Sequence, residues 1–401
     1  MANVKVSIIG KLDMLKFKNM SKVREKAIQA APAKDVTLRL PINDNAKALH
    51  PDFIPVVVDD IVDRGPAAAK TYYLKKEDGS PLPWFRAGQY ISLKMNLDGS
   101  EISRPYSLSS GPKMALQGLY EVTVRANPNG WAADKMLAGL KKGDKLTITA
   151  PLGDFYYEPM RDAKQVVALA GGSGITPFLS MAFAIADGVE DFDLTILFGS
   201  RSVENILFKE ELDALCAKCG KIKVVHVLSD EEAEGYEHGF ITEELIRKYA
   251  PEGEYSLYMS GPEAMYRFVG KEVEKLGLPR RLVRREMLSV TKKVWEQPGY
   301  PQEARDKTFT LTVRQGEKEY SIPASANEPV LVALERAGVR APSRCRSGEC
   351  GWCRSRLVSG ECYVPEETDG RRWADRNGGQ IHPCASFPVS DLVLEVPGEY
   401  C

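Results

Sequence analysis

Hydrophobic and polar positions alternate toward both ends of the chain and run together in its middle. AGQYISLKM at 87–95 has the pattern of a half-buried strand and leads into the polar turn RPYSLSSG, which starts at Arg104. Further on, QVVALA at 165–170, LTILF at 194–198 and YMS at 258–260 are short apolar runs that end in glycine-rich or polar turns. Such runs predict strands buried on both faces, as in a parallel sheet. Alternation returns in TFTLTV at 308–313 and EYSIP at 319–323, which predict a hairpin around Gln315-Gly316. Val330, Leu331, Leu334 and Ala337, followed by Gly338, predict a helix with a glycine stop, and DLVLEV at 391–396 predicts a closing strand. Near the start, strand-like VKVSIIG precedes LDMLKFKNMSKVREKAIQA, an apolar stripe interleaved with lysines that predicts a basic amphipathic helix.

The length of 401 residues implies two or three domains, each large enough for its own core. A formal charge of -1 gives no reason to expect nucleic acid as a partner. The near-neutral total conceals an asymmetry, because the first 50 residues carry 10 basic and 4 acidic side chains. No apolar run approaches the roughly 20 residues that cross a bilayer, and the start lacks a secretory signal pattern, so a cytoplasmic location is expected.

Eight cysteines are too few for a disulfide scaffold, which favours reduced thiols or metal ligands. Six of them crowd the last 57 positions, and Cys345, Cys350 and Cys353 read C-x4-C-x2-C within APSRCRSGECGWC. This is the plant-type [2Fe-2S] spacing, and Cys384, 31 positions after Cys353, is the natural fourth ligand. Gly348 and Gly351 let the loop wrap closely, so that backbone N–H groups point at the sulfurs. A structural zinc site is the alternative, although the second paired knuckle it usually needs is missing. Cys362 and Cys401 fall outside the spacing, His382 reads as a loop histidine, and Cys216 and Cys219 form an isolated pair. The stretch 306–401 resembles the plant-type ferredoxin family.

Three motifs precede it. In RPYS, Arg104 suits a phosphate, Tyr106 a flat ring face and Ser107 a ring edge. In ALAGGSGITPFLSM, from Ala168, a strand gives way to a glycine turn and then a helix, which aims free N–H groups at a pyrophosphate. Tight packing is the other reading of that turn. The third motif, YMSGPEAM from Tyr258, is again a strand running into a turn and a helix.

The order RPYS, GGSGITP, SGP resembles the ferredoxin-NADP reductase superfamily. With a ferredoxin at the C-terminus, residues 50–401 are similar to phthalate dioxygenase reductase-like flavoproteins that serve oxygenases. The resemblance implies a multidomain α/β and β fold. Its expected parts are a basic extension (1–49), an antiparallel flavin-binding barrel (50–156) and a parallel α/β nucleotide-binding domain (157–290). A linker (291–305) and a β-grasp ferredoxin (306–401) complete it. It also implies that Arg104, Pro105, Tyr106 and Ser107 hold the flavin, and that Gly172, Gly174, Ile175 and Thr176 cradle the dinucleotide. Ser260, Gly261 and Pro262 lie near the nicotinamide, where Ser260 replaces the cysteine of many relatives. Tyr106, Ser107 and Ser260 are thus the residues expected at the reaction centre.

FAD is expected, with FMN as the alternative. GWAA at 130–133 lacks the hydroxyl that FAD-binding relatives often place on the pyrophosphate, while Phe155 offers an aromatic for adenine. Arg201 and Ser202 stand where a 2′-phosphate is met, and the substrate is NADH or NADPH.

The implied reaction is an NAD(P)H-dependent oxidoreduction that turns a hydride into single electrons, which needs stacked rings and no side-chain nucleophile. With only four histidines there is no convincing Ser/His/Asp set. The expected partner is an electron-accepting oxygenase or other metalloenzyme. Arg344, Arg346, Arg354 and Arg356 around the thiols suggest an acidic face on it, or else docking of the ferredoxin onto its own flavin domain. Residues 1–30 are expected to pack against their own domain, with peripheral membrane contact or docking of a partner as the other readings, and a redox-sensing or assembly module with slow electron transfer is the alternative function.

Overall fold

The computed structural model describes residues 11–31, 41–49, 51–97, 99–126, 131–286 and 291–398. VKVSIIG, Gly130, His50 and Cys401 lie outside these residues. The chain divides into two units, Met1–Leu49 and His50–Cys401. The first contains α1 (Lys11–Ala30) and α2 (Pro41–Leu49). α1 matches the helix expected from the lysine-interleaved stripe, and its described side chains, including Met20, Val23 and Ile28, are exposed. No helix among the described residues is long and apolar enough to cross a membrane.

The second unit begins with six antiparallel strands: β1 (Phe53–Asp63), β2 (Ala69–Lys75), β3 (Tyr90–Leu97), β4 (Ser100–Ser107), β5 (Leu119–Arg125) and β6 (Lys145–Thr149). They lie in the order β4-β3-β6-β1-β2-β5. The chain leaving β4 meets β5 through a bridge between Leu108 and Val122, so the two edges are drawn together. Inward positions such as Val56, Tyr72, Leu74, Ile91 and Leu93 fill the interior. Two helices flank the sheet, α3 (Pro112–Leu116) and α4 (Trp131–Gly139). Met136 of α4 plugs one side, accepting the Tyr72 hydroxyl on its carbonyl at 3.0 Å.

A wholly parallel sheet follows, built from β7 (Gln165–Gly171), β8 (Asp193–Ser200), β9 (Ile222–Leu228), β10 (Glu237–His238), β11 (Ser256–Ser260) and β12 (Val283–Glu286). Its order is β10-β9-β8-β7-β11-β12. β7 is buried along nearly its whole length, as its uninterrupted apolar run requires. Helices α5 (Thr176–Ala186), α6 (Lys209–Lys218), α7 (Glu243–Tyr249) and α8 (Glu263–Lys275) connect the strands. The chain moves outward from β7 to β8 and β9, then returns to place β11 on the other side. The switch point therefore lies at the carboxyl ends of β7 and β11, where α/β sheets bind ligands.

Asp162 pins the approach to this sheet. Its buried carboxylate accepts from the Tyr258 hydroxyl at 2.7 Å and from Arg161 at 2.9 Å, with Arg284 at 3.4 Å. Removing it takes the carboxylate from two guanidinium groups and leaves the Tyr258 hydroxyl only the Tyr156 carbonyl to donate to, at 3.0 Å. Asp162→Ala is therefore expected to cost about 3–5 kcal/mol, measured by urea unfolding; an unchanged midpoint would show that the network carries no weight.

The last part is a five-stranded mixed sheet in the order β14-β13-β19-β15-β17. The strands are β13 (Thr308–Gln315), β14 (Lys318–Ser325), β15 (Ser355–Ser359), β17 (Gln380–Ile381) and β19 (Leu392–Glu395). A separate ladder pairs β16 (Cys362–Tyr363) with β18 (Phe387–Pro388). α9 (Val330–Arg336) packs Val330, Ala333 and Leu334 onto the sheet and ends before Gly338, whose positive φ of 68° suits a helix stop. α10 (Trp373–Asn377) lies between β16 and β17. The segment before β13 is packed rather than loose: Val294 and Tyr300 are buried with Phe387, and the Tyr363 hydroxyl donates to the Pro298 carbonyl at 2.7 Å.

Candidate functional site

β7 delivers its glycines to the switch point as a tight helical turn over Gly172–Ile175, which runs straight into α5 at Thr176, with Pro177 in the first turn. The turn is pressed against the segment after β11. A Cβ on Gly174 would stand 2.2 Å from the Ser260 carbonyl oxygen, and one on Gly261 would stand 2.5 Å from the Met265 sulfur. Glycine here serves the approach of the two motifs to each other. Gly174, Ile175 and Thr176 are buried, whereas Gly172 and Gly261 are half-exposed and Pro262 is exposed.

Arg125, at the end of β5, faces this turn, a contact that no local motif signals. A Cβ on Gly172 would lie 2.4 Å from its Nη1. Burial draws the Arg125 guanidinium below its ordinary pKa, and the nearby charge of Arg201 adds to that effect. Arg201 and Ser202 follow β8, with Arg201 exposed. Two cations thus border the glycine turn. Phe155 stands elsewhere: it is a core side chain, edge-on to Phe178 at 5.8 Å and to Tyr258 at 5.1 Å, and not at an open surface. Its neighbour Tyr156 is the more accessible ring and lies under the Arg86 guanidinium at 4.2 Å.

RPYS forms the end of β4. The Tyr106 hydroxyl donates to the Met136 sulfur at 3.2 Å, which fixes the ring plane, and burial pushes its pKa up to about 12. Pro105 is buried. Ser107 makes the decisive long-range contact. Its hydroxyl donates to Glu286 at 3.1 Å, and the same carboxylate accepts from the Ser260 hydroxyl at 2.9 Å. Glu286 ends β12 and pairs in register with Ser260 of β11. Burial raises its pKa to about 7 against the opposing effect of the two serine hydrogen bonds. One carboxyl group therefore ties Ser107 of the antiparallel sheet to Ser260 of the parallel sheet.

The thiol loop precedes β15. Cys345, Cys353 and Cys384 are buried and Cys350 is exposed. The sulfurs of Cys353 and Cys384 are 3.4 Å apart. Backbone N–H groups point at the sulfurs: those of Ser347 and Cys350 donate to Cys345 at 3.5 and 3.4 Å, and that of Gly348 donates to Cys384 at 3.3 Å. The neighbouring thiols of Cys350 and Cys384 and these N–H groups hold the Cys345 thiol well below its ordinary pKa. Gly348 has φ +83°, and a Cβ there would lie 2.0 Å from the Thr368 carbonyl oxygen, so the loop closes only with glycine. His382 Nδ1 is 2.5 Å from the Gly348 carbonyl oxygen, which makes it a loop brace.

The remaining thiols differ. Cys362 packs against the sheet core, and burial pushes it up to about 12. Cys216 and Cys219 sit half-buried at the end of α6 against the core, and burial raises Cys216 as well. Among the described residues no three Cys, His, Asp or Glu side chains are arranged around a single metal ion.

The four loop arginines are all engaged. Arg344 pairs with Asp52 at 2.9 Å and stacks on Trp352, while its carbonyl accepts the Ser92 hydroxyl at 3.0 Å. Arg346 pairs with Glu335, Arg354 with Asp375, and Arg356 with Glu395. Tyr90 of β3 also lies here: burial, and then the neighbouring Cys345 and Cys350, raise its pKa. The thiol loop thus meets β3 at Tyr90 and Ser92, and Tyr90 pairs with Ser107 of β4.

Comparison with known proteins accounts for all three parts. Family models described as "Oxidoreductase FAD-binding domain", "Oxidoreductase NAD-binding domain" and "2Fe-2S iron-sulfur cluster binding domain" match residues 74–157, 168–271 and 313–389. The solved structure of phthalate dioxygenase reductase is 26% identical, with a TM-score of 0.62 over 86% of this chain and 98% of that one. The chain has the phthalate dioxygenase reductase-like fold. A glycine betaine monooxygenase reductase subunit from Chromohalobacter salexigens is 26% identical over 79% of this chain and 89% of its own length. The NADH oxidoreductase HCR of Escherichia coli is 27% identical over 77% and 88%. This reductase is an NAD(P)H-dependent electron-transfer flavoprotein whose cofactors are FAD and a [2Fe-2S] cluster.

Proposed function

We propose that this reductase takes hydride from NAD(P)H and delivers single electrons to a separate oxygenase or other metalloenzyme, with the residues above in named roles. The observation that carries the reading is that β3 and β4 touch both sides of the reaction. At Ser107 they meet the Glu286–Ser260 pair of the nucleotide sheet, and at Tyr90 and Ser92 they meet the thiol loop. When bound, the flavin and the cluster supply the conversion of a two-electron hydride into single electrons.

In this reading Arg104 holds the flavin phosphate, Tyr106 the ring face and Ser107 the ring edge. The turn of Gly172, Gly174, Ile175 and Thr176, with Gly261 and Pro262, shapes the dinucleotide cleft, and Ser260 stands beside the nicotinamide. Arg125 joins Arg201 and Ser202 in meeting the phosphates, and Phe155 supports the cleft from the core. Cys345, Cys350, Cys353 and Cys384 hold the cluster, a role the inward N–H groups support because they stabilise anionic sulfur and an added electron.

Anaerobic rapid mixing of the intact holoprotein with NADH, and separately with NADPH, tests the reading. Flavin bleaching followed by cluster bleaching and fast reduction of a one-electron dye is the expected course. Negligible turnover with both cofactors in place would instead favour a sensing role. Arg354 and Arg356 remain more than half exposed despite their partners, which supports an acidic face on the acceptor. Rising salt should then slow delivery to an acceptor protein and leave a neutral dye unaffected.

The same reading takes residues 1–30 as a peripheral membrane contact, supported by the exposed Met20, Val23 and Ile28 among the lysines of α1. Deleting residues 1–30 is expected to abolish binding to anionic phospholipid vesicles and to leave NADH oxidation intact. Equal vesicle binding by the truncated chain would refute it.

A further inference from the structure

A buried chain of charge runs between the flavin motif and the thiol loop. Glu335, on α9, is only 6% exposed and lies 2.5 Å from Arg346 and 3.2 Å from Arg104. One oxygen, Oε1, serves both guanidinium groups. Arg346 is itself 5% exposed, directly follows Cys345, and holds a positive φ of 57° that a non-glycine residue adopts only when its surroundings impose it. Arg104 uses Nη1 alone in this contact and in its bond to the Ser103 carbonyl. The other edge of its planar fork remains available to a phosphate. A buried and a half-buried guanidinium share one carboxylate, so the trio carries a surplus positive charge that a second anion at Arg104 would balance.

We propose that Glu335 is a positioning residue for the internal electron step, a latch that holds the thiol loop in register with the arginine of the flavin motif. The step it governs is simple in its balance: one electron leaves the reduced flavin, and one ferric iron of the cluster becomes ferrous. Glu335 neither donates nor accepts it. Its carboxylate fixes the distance and orientation between β4 and the residue next to Cys345. This inference rests on the reading of Arg104 as the flavin-phosphate ligand.

The test uses full-length holoprotein carrying Glu335→Gln or Glu335→Asp. In Glu335→Gln, flavin bleaching by NADH should stay close to native while cluster bleaching slows several-fold, because the loop next to Cys345 is no longer held against Arg104. Amide hydrogen exchange over residues 343–347 should rise, and the EPR signal of the reduced cluster should be unchanged. Glu335→Asp keeps the charge at shorter reach and should slow the step less than Glu335→Gln does. If the glutamine variant does not fold, the aspartate variant decides by the same readouts. Native rates and native exchange overturn the latch. So does a slow step accompanied by an altered EPR signal, since Glu335 would then act on the cluster itself. Failure of the underlying reading shows separately, as an Arg104→Ala protein that retains its full flavin.

Discussion

Replacing Cys384 with alanine is expected to abolish delivery of electrons to one-electron acceptors while leaving hydride uptake nearly intact. Cys384 comes from the turn between β17 and β18, far in sequence from the C-x4-C-x2-C loop, yet its buried sulfur lies 3.4 Å from that of Cys353 and accepts the Gly348 N–H at 3.3 Å. Loss of an outer-shell partner costs a metal site roughly 10–100-fold, and loss of a ligand should exceed that. The variant should lack the visible absorbance and EPR signal of the cluster. Flavin bleaching by NADH should remain within about twofold, because Ser107, Glu286 and Ser260 bond to one another and Cys384 bonds to none of them. Cys362→Ala is the matched control: its thiol is buried against the sheet core and takes no part in the loop. A Cys384→Ala protein with a native EPR spectrum, or a Cys362→Ala protein without one, would exclude the ligand assignment.

The contrast between these two cysteines shows what could be read from the chain alone. Local signals were legible: the thiol spacing, the strand-to-helix turn at Gly172, the hairpin at Gly316 and the helix stop at Gly338 each rest on chemistry within a few residues. What escaped notice depends on distant residues meeting. Glu286 sits in VRREM, where a charged run reads as a solvated face, and only the pairing of β11 with β12 brings it beside Ser260. Its position at the carboxyl end of the last parallel strand was the available clue. Arg125 and Glu335 were hidden in the same way, at a strand end and on a short helix. Phe155 shows the converse, because an aromatic run signals burial as readily as it signals a ligand. The arginines of the thiol loop looked like a single patch, and their partners divide them: Arg344 docks on Asp52, Arg346 turns inward to Glu335, and Arg354 and Arg356 stay on the surface.

Glu286 carries the second large effect. Glu286→Ala is expected to slow flavin reduction by about a hundredfold, the scale of losing orientation at a reacting pair, because it releases both serine hydroxyls at once. The pH dependence should be informative. Burial raises the carboxyl pKa to about 7. Above that value the ionised group only accepts, so Ser107 and Ser260 both point their hydrogens into it. Below it the neutral carboxyl donates to one serine, whose own hydrogen is then free for a bound ring. Flavin reduction should therefore fall as pH rises through about 7. Stability follows the same sign, since a raised folded-state pKa gives a contribution present below the unfolded value, near 4.5, and lost as pH rises through about 7. Glu286→Gln mimics the neutral form, with an amide that donates at every pH. It should keep most of the native low-pH rate and lose most of the inflection between pH 5 and 8 in flavin reduction and thermal midpoint, what remains belonging to the neighbouring Glu349, whose carboxyl burial also raises to about 7. If the glutamine variant retains the native inflection, another group is responsible and Glu286 only packs the junction.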